Sequence, residues 1–136
     1  MSLGVILLLV FLALDLILVV WIFLRNKRRN RLSQKSLVYI CSHWIRIIDS
    51  FHANPVQSVL DADKLLDYAL SQHGFVGSVG EKLKKAGARF SDLDAVWRAH
   101  KLRNKLAHEL GGVPKHDTKA ALSHFKRALN DLGAQL

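Results

Sequence analysis

Residues 97–110 read WRAHKLRNKLAHEL, and the way this stretch divides on a helical wheel decides the fold. At 100° per residue, Asp94, Arg98, Lys101, Lys105 and Glu109 share one charged arc, roughly a quarter of the circumference. The remaining arc is almost wholly apolar: Leu93, Ala95, Val96, Trp97, Ala99, Leu102, Leu106, Ala107 and Leu110. Inside it sit His100, Arg103 and Asn104, with His108 on its border. A polar group in a buried arc costs on the order of 1–3 kcal/mol unless it is paired. Four of them this close together leave two readings. Either they bond to neighbouring helices as a buried polar network, or they form a site.

Arg103-Asn104-Lys105-Leu106-Ala107-His108 sets an Arg ahead of a His across four residues, with a polar residue directly after the Arg. This run, within LRNKLAHE, resembles the R-x4–6-H signature of the HEPN superfamily. These are small helical bundles that include many metal-independent ribonucleases. The resemblance spans roughly Leu37 to Leu132. It implies an all-α bundle that binds RNA and needs no cofactor. It also implies a cleft shared by two copies of the chain. Arg103, Asn104 and His108 would be the catalytic residues, with His100 and Lys105 in support. Some members carry a Tyr two residues after the His; here that position is Leu110, and nothing tied to that Tyr is carried over.

The chemistry fits those residue types. Cleavage by the 2′-hydroxyl of RNA needs a base, an acid and positive charge on the phosphate. An imidazole suits the proton transfers, and a guanidinium can hold phosphate oxygens through parallel hydrogen bonds. On a straight helix, however, Arg103 and His108 point about 140° apart. Bringing both to one phosphate requires a distorted helix end near Gly111 or a second copy of the chain. Two other classes of function stay open: a non-catalytic module that binds nucleotide, RNA or protein, and a small single-span scaffold.

Upstream, Leu3 to Leu24 (LGVILLLVFLALDLILVVWIFL) carries a single charge, Asp15. As a helix it reaches about 33 Å, enough to cross a hydrocarbon core of about 30 Å. No basic segment precedes it and no small-x-small cleavage site follows, so it reads as an anchor rather than a signal peptide. Arg25, Lys27, Arg28, Arg29 and Arg31 come next. By the positive-inside rule they stay in the cytoplasm, leaving the N-terminus outside. An ionised Asp15 near mid-span costs about 3 kcal/mol. It is read as a contact with a second transmembrane helix, or as a protonated residue tolerated by a very apolar span. The expected organisation is an anchor over 1–24, a basic juxtamembrane linker over 25–33 and a bundle of four to five helices over 34–136.

Helical periodicity fills the rest of the chain. Ser33 caps a helix to about Phe51, with Leu37, Ile40, Cys41, Trp44, Ile47, Ile48 and Phe51 on one face. A second runs from Val56 to about His73, with Val59, Ala62, Leu65, Leu66, Ala69 and Leu70 inward and Gly74 as its stop. Asp61, Asp63 and Asp67 read as a solvated surface. Glu81 to Ala86 is a short helix, and Phe90 a plug into the core. Lys82, Lys84, Lys85 and Arg89 form a basic patch, read as a solvated face over an RNA contact. The wheel helix opens at Ser91-Asp92 and ends at Gly111-Gly112. The last helix covers about Thr118 to Leu132, with Leu122, Phe125, Leu129 and Leu132 inward.

Composition narrows the function classes. A chain of 136 residues holds one modest domain beside its span. Cys41 is the sole cysteine, which excludes an intrachain disulfide and Cys-x2-Cys metal sites. The Gly-rich run 74–80 lacks the Gly-Lys-Ser/Thr ending of a phosphate loop. The net charge is +9, of which +5 remains from Leu32 onward. That excess favours an anionic neighbour, either a polyanion or a membrane surface.

Overall fold

A computed structural model describes residues 2–29, 31–108 and 115–136. Among them every regular element is helical. The chain forms two units, Met1–Arg31 and Leu32–Leu136.

The first unit is one helix, α1 (Leu3–Arg29). Its stretch Leu3–Arg25 is long and apolar enough to cross a membrane. Asp15 lies mid-way along it and is exposed. The helix continues past the apolar span, so Arg25 and the backbone of the basic run to Arg29 are helical. Arg25 sets its guanidinium carbon 5.1 Å from the centre of the Trp21 ring, a cation–π contact. The side chains of Lys27, Arg28 and Arg29 lie outside the described residues.

The second unit holds α2 (Gln34–Ser50), α3 (Pro55–Gln72), α4 (Val79–Ala86), α5 (Leu93–His108) and α6 (Lys115–Asp131), with a 3-10 turn at Gly87–Arg89. Leu32 already belongs to its core, so the unit begins slightly ahead of the expected boundary. Short polar side chains start the helices by accepting orphan backbone N–H groups. Ser33 Oγ accepts from Ser36 N at 3.1 Å. Asn54 Oδ1 accepts from Gln57 N at 3.1 Å, with Pro55 opening α3. Ser78 and Glu81 exchange bonds in a capping box. Hydrogen bonds from Ser78 hold the Glu81 carboxyl below the usual carboxylate range. Gly74 follows α3 at φ +86°, a left-handed conformation that glycine adopts without strain.

α3 is the central helix, packed against α2, α4, α5 and α6. All six residues expected on its inner face are buried, as are Leu122, Phe125, Leu129 and Leu132 near the C-terminus. Phe90 is buried as expected. Some expectations do not hold. Ile48 is 45 % exposed instead of inward. Ala107 is exposed rather than inward. Lys82 is buried rather than solvated; its ammonium donates to Asp67 Oδ1 at 2.6 Å and Ser71 Oγ at 2.7 Å. Leu110 and the Gly111-Gly112 stop lie outside the described residues.

Phe125 has no solvent exposure. Phe125→Ala should therefore cost about 3–5 kcal/mol, measured by urea denaturation of the detergent-solubilised chain. Loss of less than about 1 kcal/mol would mean that α6 does not pack on α3 as described.

Candidate functional site

Asp63 sits on the inner face of α3, bracketed by Val59, Leu66 and Leu70, and is only 2 % exposed. A carboxylate taken that far from water must be paired. Its partners come from the polar residues inside the apolar arc of α5. His100 Nδ1 lies 2.7 Å from Asp63 Oδ1. Arg103 Nε lies 3.2 Å from Asp63 Oδ2. The two contacts differ in kind. His100 Nδ1–H donates a hydrogen bond. The Arg103 Nε–H is not aimed at the carboxylate and has no hydrogen-bond partner, so Arg103 compensates the charge without donating at that nitrogen.

Asn104 joins the guanidinium and the imidazole. Arg103 Nη1 donates to Asn104 Oδ1 at 3.0 Å. That bond turns the amide nitrogen toward His100 Nε2, 3.4 Å away. An amide N–H can only donate, so Nε2 is the accepting nitrogen and the His100 proton sits on Nδ1 against Asp63. The Trp97 ring closes one side edge-on to the imidazole, with centroids 6.0 Å apart. The guanidinium therefore orients the amide, and the amide and carboxylate together select the imidazole tautomer.

Of the sequence-derived site residues, His100, Arg103 and Asn104 come together around Asp63. His108 does not join them. It is exposed at the end of α5, on a different side of the helix from Arg103, as the five-residue spacing requires. Lys105 is exposed as well. Asp63, expected on a solvated surface, is instead buried and is the site residue that sequence reasoning missed. Asp61 does lie at the surface, accepting from Gln57 Nε2 at 2.9 Å and facing Lys64 at 3.7 Å. The signal for Asp63 was available. On the α3 wheel it falls within about 40° of Val59 and 20° of Leu70, inside the apolar arc.

The basic patch around α4 is also partly internal. Besides Lys82, Arg89 Nη1 lies 3.2 Å from His73 Nδ1, and its guanidinium stands 5.2 Å from the Phe75 ring. On α6, burial and the nearby Arg98 charge hold the His124 imidazole below its ordinary pKa. Among the described residues no group of three His, Cys, Asp or Glu side chains is placed to hold a metal ion.

The Asp63 cluster should behave as one unit. Asp63→Ala leaves the guanidinium without its compensating charge and the imidazole without its acceptor, a loss of about 3–5 kcal/mol. Combined with Arg103→Met, the two losses should fall short of their sum by about 1 kcal/mol or more. Urea titration of the four proteins reads this, and strict additivity would show that the pair does not interact.

Comparison with family models, with curated proteins and with solved structures finds no match to this chain.

Proposed function

We propose that the chain is a membrane-anchored, HEPN-like endoribonuclease that cleaves RNA by attack of the 2′-hydroxyl, with no metal. What carries this reading is the mounting of Arg103 and Asn104. Both are fixed from beneath by a buried carboxylate–imidazole pair, yet the Arg103 side chain keeps 28 % of its surface exposed. A guanidinium held rigid in this way is pre-organised for a phosphate oxygen. His108, exposed on the same helix, has the chemistry for proton transfer.

One protomer does not bring Arg103 and His108 to a common phosphate. The active form is therefore a homodimer in which His108 of one copy works beside Arg103 of the other. Confinement to a membrane raises the effective concentration of partners. Asp15 adds a polar contact between spans, where the alternative is an unpaired carboxyl group in hydrocarbon. The basic run from Arg25 to Arg31 holds the domain in the cytoplasm, where RNA is available.

A second reading is favoured by the Arg103–Asp63 ion pair itself. A guanidinium already neutralised by an internal carboxylate serves a non-catalytic module as well, one that binds RNA or a protein partner without cutting.

One assay separates the two. The full chain, purified in detergent, is incubated with labelled RNA and a chelator. Cleavage is expected, falling about 100-fold or more in His108→Ala and in Arg103→Ala, with helicity by circular dichroism unchanged in His108→Ala. RNA retained intact by the wild type would support the binding module. Equal cleavage by wild type and both variants would overturn the assignment of the site.

A further inference from the structure

α2 and α6 enclose a groove of about 720 Å³ on the globular unit. Trp44, Ile48, Phe51 and Leu122 give it an apolar floor, and Lys115, Lys119 and Lys126 stand along its α6 side. The sequence explains this division. On the α6 wheel the three lysines fall within about 40° of one another, with Leu122 at the edge of the same row. The acids of α6 turn elsewhere: Asp117 lines a different hollow, against α5, and Asp131 accepts from Ser91. His52 and His116 add to the rim. Among the described residues lining the groove there is no Asp or Glu.

The apolar surface does not stop at the groove. Val38 and Ile45 are 61 % and 60 % exposed, and they continue from Ile48 as a stripe along α2. Asp49 borders that stripe as its one acidic neighbour on α2. An exposed row of branched aliphatic side chains beside a row of lysines is the pattern of an interfacial helix. Apolar groups enter the headgroup–acyl boundary while ammonium groups meet lipid phosphates.

We infer that this α2–α6 face docks on the surface of an anionic phospholipid bilayer. Charge complementarity selects this occupant. A second copy of the chain, paired across a two-fold axis on this same face, would set one row of lysines near its own image. RNA would match the lysines but leave the aliphatic stripe uncovered, and Trp44, at 7 % exposure, offers no free ring for a base to stack on. The chain also places such a surface within reach. From Arg25, at the end of the apolar stretch, to Ser33, which caps α2, the backbone, helical as far as Arg29, spans at most ~20 Å.

The test uses the full chain with Cys41→Ser, and Ile48→Cys carrying a nitroxide. It is reconstituted in vesicles of phosphatidylcholine alone and of phosphatidylcholine mixed equally with phosphatidylglycerol. In mixed vesicles the label should be shielded from a water-soluble nickel relaxant and open to oxygen dissolved in lipid. In phosphatidylcholine alone it should be open to nickel. Each of Lys115→Gln, Lys119→Gln and Lys126→Gln should lower the docked-to-undocked ratio about fivefold, with helicity unchanged, and high salt should do the same to the parent. Three results would overturn the inference. The label could be equally shielded in both lipids, it could be shielded with dipolar broadening from a second label, which marks a copy of the chain, or shielding could follow added RNA rather than anionic lipid.

Discussion

A carboxylate buried on the central helix is the constraint from which the rest of the globular unit follows. Asp63 lies among Val59, Leu66 and Leu70, where an unpaired charge is not tolerated. Its presence there forces α5 to supply partners from within its own apolar arc: Arg103 brings the compensating charge and His100 the hydrogen-bond donor. The register of α5 against α3 is thereby set by chemistry as well as by packing. A shift of one residue would move His100 away from Oδ1 and Arg103 away from Oδ2. Apolar contacts alone are more forgiving, since Val96 or Ala99 can slide along a row of leucines at modest cost.

The same pairing accounts for the one anomaly of the site. Arg103 Nε is buried without a hydrogen-bond partner, although it lies 3.2 Å from Asp63 Oδ2. The guanidinium is instead turned toward Asn104, which it orients. Charge compensation and hydrogen bonding are thus divided between different nitrogens of one side chain. An arrangement concerned only with stability would aim both donors at the carboxylate, because bidentate pairs are the stronger ones. Here one donor faces Asn104 instead, at 3.0 Å.

Much of the fold was legible because it is written in short-range rules. Ser33 and Gly74 sit where helix ends demand them, and the spacing of Val59, Leu66, Phe125 and Leu129 names the core directly. His100, Arg103 and Asn104 stood out as polar residues in an apolar arc, and they do meet. What escaped was their partner. Asp63 stands close to Asp61 and Asp67 in the chain, which suggests one solvated surface, while its own neighbours on the wheel place it inside. Lys82 escaped for a related reason: a lysine among Lys84 and Lys85 reads as surface, while its ammonium reaches Asp67 on another helix. Both misses are long-range pairings between charged residues. Periodicity carries the face of one helix, and it does not carry which face of another helix lies opposite.

The central claim is that Asp63, Asn104 and Arg103 hold His100 in a single tautomer. Nitrogen-15 spectra of the histidine side chains, assigned with a His100→Gln variant, read it directly. The account expects neutral His100 to carry its proton on Nδ1, with Nε2 showing the shift of an unprotonated ring nitrogen. A His100 signal in which both nitrogens show the averaged shifts of two exchanging tautomers would contradict it.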